Sequence, residues 1–149
     1  MSDCLSMQQR RAKSDPHWTR AHRVFTDEEA NYLTSQRLGR VATASPDGQP
    51  HAVPVTYEFD GEYIYFSGYK LTGSLKYQNI LRNNKVAFVV DSLESVDPWA
   101  PKGIEIRGIA STIQKDGYQY VRITPFKKRG WGINRPIIMP AEIQEDVKR

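Results

Sequence analysis

Residues 38–67 read LGRVATASPDGQPHAVPVTYEFDGEYIYFS, and this stretch decides the fold. Its grammar is that of strands joined by tight turns. Residues 39–44 lead into Ser45-Pro-Asp-Gly48, a turn with proline at its second position and glycine at its end. Residues 49–59 then alternate, setting His51, Val53, Val55, Tyr57 and Phe59 on one face. Asp60-Gly61 is a two-residue hairpin signal, and residues 62–67 (EYIYFS) return from it. Three strands in a meander are expected.

Upstream, Thr26-Asp-Glu-Glu29 is a capping box, in which Thr26 accepts from the amide of residue 29 and Glu29 reaches back. It predicts a short helix over 27–36 with Ala30 and Leu33 facing inward. Residues 1–22 have no sustained period and are expected to be a flexible leader; Met7 is an alternative start that would remove Cys4. Downstream of the loop 68–73 (GYKLTG), a helix over 74–82 carries Tyr77, Ile80 and Leu81 at helical spacing, and Asn83-Asn84 ends it. Residues 86–90 (VAFVV) are β-rich and apolar on both faces, a buried central strand. A proline-rich loop over 97–101 precedes a strand over 103–113, whose Gly108 marks a bulge or bend. Lys115-Asp-Gly117 turns the chain into a sixth strand over 118–124, and residues 126–131 (FKKRGW) read as tail. The pattern predicts a mainly β fold: a six-stranded antiparallel barrel with short flanking helices, which removes its own edges.

The 149 residues predict one domain, here 23–149 behind the leader 1–22. A hydrophobic fraction of 39% and a charged fraction of 26% lie far from disordered or collagen-like extremes. The longest apolar run is 86–90, so no membrane span is expected, and with no signal-peptide pattern the reading is cytoplasmic. The net charge of +4 is unevenly spread. Residues 1–23 carry five Lys/Arg against two Asp/Glu, 24–114 carry eight against eleven, and 115–149 carry eight against four. A basic excess confined to the ends predicts solvated tails rather than a nucleic-acid stripe on the folded body.

Catalytic signatures are sparse. Cys4 is the single cysteine, and His17, His22 and His51 lack ligand spacing, so no metal site is expected. There is no nucleophile elbow, phosphate-binding glycine loop or dinucleotide motif. Glu105 and Arg107, two apart on one strand face, read as solvent-facing partners for cross-strand charges, with a pocket-lining role for one of them as the alternative. Two segments stand out. Gly73 and Ser74 introduce a helix whose first amides are free, and Lys76 adds a positive charge in its first turn. This is a phosphate site or an ordinary serine cap beside a solvated lysine. Pro50-His-Ala-Val-Pro-Val-Thr56 is the second. Pro54 cannot donate to a ladder and places the strand at an edge, where Val53 and Val55 can offer backbone groups to a planar heterocycle. His51 reads as packed or surface-exposed rather than catalytic.

The ordered set of segments resembles the pyridoxamine 5′-phosphate oxidase-like superfamily of split β-barrels, over roughly residues 26–126. It rests on LGRVATA from Leu38, on PDGQPHAVPVTY, on Tyr63-Ile-Tyr-Phe-Ser, on Ser74 and Lys76 followed by Asn79, on 86–91 and on 103–110. The chain looks most like the short branch that uses the deazaflavin coenzyme F-420. The resemblance implies a homodimeric oxidoreductase that transfers a hydride between F-420 and a small conjugated organic substrate, without nucleic-acid or membrane partners. FMN is the alternative cofactor, and a non-catalytic flavin or tetrapyrrole binder the alternative function. It implies cofactor contacts from His51, Val53, Pro54, Val55 and Thr56 along the ring. Phe66, Ser67, Tyr69, Lys70, Ser74 and Lys76 would lie at the phosphate end, with Trp131 reaching the partner's cofactor. No catalytic side chain is assigned. Pyridoxamine phosphate oxidases carry basic residues at the positions of His51, Thr56 and Leu75, and only His51 can carry charge here. That departure weighs against FMN held by its phosphate.

Overall fold

The computed structural model describes residues 24–138. The expected leader, with Met7, Cys4, His17 and His22, lies outside the described residues. Two helices, α1 (Asp27–Ser35) and α2 (Leu75–Arg82), accompany seven strands. These are β1 (Leu38–Ala44), β2 (Pro50–Thr56), β3 (Glu58–Phe59), β4 (Ile64–Phe66), β5 (Lys85–Ser95), β6 (Ala100–Lys115) and β7 (Tyr118–Trp131). All join one antiparallel sheet of order β2-β1-β5-β6-β7-β4-β3.

That order carries the architecture. β2 and β3 are the two ends of the sheet, yet only Tyr57 separates them in the chain. A sheet whose edges are one residue apart has to curl upon itself, and the barrel is split along the seam between them. Inside the curl lie Val41, Ile64, Phe88, Val90, Ile104, Ile106, Val121 and Ile123, all fully enclosed.

Tyr57 also explains why seven strands replace the expected six. Residues up to Thr56 pair with β1, whereas Glu58 and Phe59 pair with β4. Alternation runs on through the break, so Val55, Tyr57 and Phe59 are all buried although they serve different strands. Periodicity therefore reads one strand where pairing makes two, and the expected meander is replaced by a crossing from one sheet edge to the other. At Asp60-Gly61 the expected two-residue turn is a four-residue loop between the paired Phe59 and Ile64. Asp60 Oδ1 fills it by accepting from the amides of Glu62 and Tyr63 at 2.9 and 2.7 Å. The two-residue turn occurs instead at Asp116-Gly117, between paired Lys115 and Tyr118, with φ of 52° and 79°.

Residues 126–131 are strand rather than tail, because β7 continues along β6 to Trp131. Lys127, Lys128 and Arg129 therefore belong to the folded body. Gly108 does sit at a bulge: Arg107 faces Lys127 and Gly108 faces Pro125, leaving Phe126 as the extra residue. A Cβ on Gly108 would lie 2.8 Å from the Thr124 carbonyl oxygen, a backbone contact that only glycine permits. β6 begins at Ala100 and absorbs the end of the proline-rich loop. Glu105 and Arg107 pair with each other along β6, at 3.0 Å, rather than with charges on a neighbouring strand.

The capping box of α1 forms as expected, with Thr26 N donating to Glu29 Oε1 at 2.8 Å and Glu29 N to Thr26 Oγ1 at 3.2 Å. Leu33 is fully enclosed, and Ala30 packs against the core. Glu29 is buried too, and its carboxylate meets the Lys128 ammonium, which fastens the helix to β7. In α2, Tyr77 and Ile80 face inward, but Leu81 is 55% exposed. The buried stripe is centred on Lys76 and Ile80 and flanked by Tyr77 and Asn79, which leaves Leu81 beyond its edge. Asn79 is satisfied there by donating to Thr43 Oγ1 on β1 at 3.0 Å.

Candidate functional site

The seam of the barrel opens into a cleft of about 410 Å³, lined by Arg37, Thr56, Tyr57, Glu58, Tyr65, Phe66, Ser67, Gly68 and Tyr120. That volume lies in the range of small-molecule sites. One wall is the crossing from β2 to β3, and the other is the end of β4 beside β7. Ile64 and Phe66 point into the core, so the alternation of β4 turns Tyr65 outward. Glu58 and Arg122 are its partners on the two neighbouring strands.

Most polar groups of the cleft are already engaged, which makes its shape rigid. The Tyr57 hydroxyl donates to the Leu33 carbonyl at 2.5 Å, and that of Tyr65 donates to Asp60 Oδ2 at 3.0 Å. Burial pushes the ionisation of both above the usual tyrosine range, with the Asp60 charge adding to the effect at Tyr65. Both remain neutral donors at physiological pH. Tyr120 is shifted the same way by burial, then by the Glu58 and Asp116 charges. Ser67 Oγ donates to the Gln119 carbonyl at 2.8 Å and ties the end of β4 to β7. Arg37 and Glu58 differ from these groups. Both are exposed, and neither has an ion-pair partner within 4.0 Å among the described residues.

Of the residues expected at a cofactor site, Thr56, Phe66 and Ser67 come together in this cleft. The rest are dispersed around it. On β2, Val55 is buried in the core and Val53 packs against it, so their side chains are turned away from the cleft. What β2 offers is its backbone: among the described residues it is an edge strand paired only with β1, with Pro54 opposite Arg40. His51 sits opposite Thr43 with its Nδ1 enclosed and without a hydrogen-bond partner among the described residues.

The helix entrance beyond Gly68 is also well defined. Ser74 caps α2, accepting from the Tyr77 amide at 3.4 Å, and its hydroxyl donates to the Leu71 carbonyl at 2.6 Å. Its hydrogen is therefore already used. Lys76 is half-buried on the barrel side of the helix, unlike the fully solvated lysine of the alternative reading. Lys70 has a left-handed backbone, and its ammonium lies 5.3 Å from the ring centre of Tyr69, which is 93% exposed. Trp131 covers Gly103 at the end of β7. None of these lines the cleft.

Arg37, Tyr57, Glu58, Tyr65, Gly68 and Tyr120 complete the cleft without having been expected there. Tyr65 and Glu58 had a signal, since both fall on the phase of alternation opposite to the core. Arg37 and Tyr120 arrive only through the curl of the sheet. Among the described residues no cluster could hold a metal ion, and no helix is long and apolar enough to cross a membrane.

The chain is 36% identical over 119 residues to a 5a,11a-dehydrotetracycline/5a,11a-dehydrooxytetracycline reductase of Streptomyces rimosus, covering 73% of this chain and 84% of that one. Among solved structures it resembles the conserved hypothetical protein Rv2991 of Mycobacterium tuberculosis, with a TM-score of 0.61 at 23% identity over 82% of this chain and 96% of that one. An F-420 reductase matches with a TM-score of 0.54 at 20% identity, over 66% of this chain and 94% of that one. These two likenesses establish the split-barrel fold. Residues 25–140 match the family model described as pyridoxamine 5′-phosphate oxidase, and the chain belongs to that family.

Proposed function

We propose that this protein is an oxidoreductase that uses reduced coenzyme F-420 to deliver a hydride to a small conjugated organic molecule. The observation that carries the reading is the seam cleft, which joins Thr56 at the end of β2 to Phe66 and Ser67 at the end of β4. It lies beside a strand edge free to bond a planar heterocycle. The likeness to a reductase acting on dehydrotetracyclines supports both the reaction class and a polycyclic substrate.

The residues present fit a deazaflavin. Bound F-420 would supply the hydride, so no side chain has to act as nucleophile or metal ligand. The chain's own part is to orient ring and substrate and to exclude water between them. The backbone of residues 53–56 would lie along the ring, and the α2 entrance with Ser74, Lys76 and Lys70 would take the anionic side chain of the cofactor. FMN fits less well. Thr56 and Leu75 replace the cations that would hold its phosphate, and Leu75 is 56% exposed with no charge to offer.

A homodimer follows from the same reading. Ala52, Ala42 and Ala87 form a row of small side chains across the outer face of β2, β1 and β5, over which a second copy could pack closely. Light scattering at micromolar concentration should give twice the chain mass; a monomer with full cofactor binding would contradict it. The reaction itself is tested by anaerobic assay with reduced F-420 and a 5a,11a-dehydrotetracycline. Oxidised cofactor and reduced substrate should appear in equal amounts. Turnover with reduced FMN but not with reduced F-420 would transfer the activity to the other cofactor.

A further inference from the structure

Two charges of opposite sign, without an ion-pair partner among the described residues, face the same cleft. Arg37 precedes β1 and Glu58 opens β3, so they meet only because the sheet curls to bring its edges together. Neither is neutralised by the other or by any described residue within 4.0 Å. The polar neighbours cannot substitute for them. The hydroxyls of Tyr57, Tyr65 and Ser67 are all spent on Leu33, Asp60 and Gln119. The cleft therefore presents an aromatic floor with one guanidinium and one carboxylate as its charged groups, beside the hydroxyls of Thr56 and Tyr120. An uncharged flat ligand would strip water from both charges without repaying either. A purely anionic or cationic one would satisfy one charge and be repelled by the other.

We propose that the cleft binds its substrate as a dipolar ion, with an anionic oxygen on Arg37 and a cationic nitrogen on Glu58. The inference rests on the reductase reading and names its substrate class: flat, polycyclic, conjugated carbonyl compounds that carry both an enolate-type oxygen and an ammonium group. Arg37 then has a second use. Hydride addition to a conjugated carbonyl breaks the carbon–carbon π bond and moves its electron pair to the carbonyl oxygen. With bound reduced F-420 supplying the hydride and its two electrons, the Arg37 guanidinium would hold the enolate oxygen until a proton from solvent completes the product at carbon.

The experiment is calorimetric titration of two probes, with and without oxidised F-420. Tetracycline carries both charges at neutral pH, and 4-dedimethylaminotetracycline lacks the cationic nitrogen. Wild type should bind tetracycline about tenfold more tightly than the amine-free probe, as expected for one charge-assisted contact. Glu58→Gln should abolish the preference for tetracycline, weakening that probe and binding the amine-free one at least as tightly as wild type does. Arg37→Gln should weaken both probes by about tenfold. Each variant should retain the wild-type thermal midpoint, since the side chains replaced are exposed and unpaired. Equal binding of the two probes by wild type would overturn the proposal, as would discrimination that survives in Glu58→Gln. So would failure of both probes to bind with or without cofactor. Because F-420 is titrated separately, a protein that binds F-420 but treats the probes alike keeps the reductase reading and loses this one.

Discussion

The Tyr57 hydroxyl donates a 2.5 Å hydrogen bond to the carbonyl of Leu33. Leu33 lies in the last turn of α1, where carbonyls have no partner within the helix. Tyr57 is the single residue between the two edges of the sheet. One bond thus satisfies a buried helix end and pins the point at which the barrel splits.

Replacing that hydroxyl should loosen the seam. Tyr57→Phe removes a buried bond and strands the Leu33 carbonyl, so stability should fall by about 1–3 kcal/mol in urea denaturation. The effect has a pH signature. The folded protein holds Tyr57 protonated above the usual range, whereas the unfolded chain releases that proton near pH 10. Above about pH 10 the native state binds more protons than the unfolded one, and stability declines as pH rises. The phenylalanine variant lacks this term, so the gap between the two proteins should narrow there. A gap that stays constant to high pH would mean that Tyr57 ionises normally.

The Glu29–Lys128 pair should contribute with the opposite sense of pH. Burial alone would raise the Glu29 carboxyl, but bonds from Lys128 and the Thr26 amide outweigh it and hold it below its ordinary 4.5. Its contribution is therefore full above about pH 4.5 and is lost as pH falls through the lower folded value. Glu29→Gln should cost roughly 1.5–3 kcal/mol at neutral pH, the range for hydrogen bonds to charged groups. The deficit should close in acid, which chemical denaturation at pH 7 and pH 3 would read directly.

How much of this was legible depended on whether local chemistry or strand partnership decided the outcome. The capping box at Thr26, the serine cap at Ser74 and the bulge at Gly108 are all local, and all are found where the residues predict them. The break at Tyr57 was not legible. Alternation continues across it, and only the choice of partner, β1 or β4, divides the run into two strands. The β7 extension failed for a related reason. Its Lys-Lys-Arg run looks like tail, but Lys128 is drawn inward by a buried carboxylate some hundred positions away in sequence, at Glu29. For the site, Thr56, Phe66 and Ser67 came from resemblance. Arg37 and Glu58 could not, because nothing near them in sequence brings them to one cleft.

The α2 entrance can be examined through Lys76. Lys76→Ala should lower cofactor affinity by about ten- to a hundredfold, the loss expected for one hydrogen bond to a charged group. Folding stability should change little, because the packing lost with the half-buried stem is offset by removal of a charge that opposes the helix dipole. Ser74→Ala is a poorer probe, since it also removes the cap and the bond to Leu71. Unchanged affinity in Lys76→Ala would move the anionic end of the cofactor to Lys70 or to the Lys127–Arg129 stretch of β7.

The central claim is that the edge of β2 beside the seam cleft, with the α2 entrance, serves a deazaflavin. Titration of F-420 and of FMN into the wild-type protein, each followed by its own fluorescence, tests it most directly. F-420 should bind at least tenfold more tightly, because Thr56 and exposed Leu75 stand where pyridoxamine phosphate oxidases carry cations and leave fewer charges for the FMN phosphate. Tighter binding of FMN, or failure of both to bind, would contradict the account.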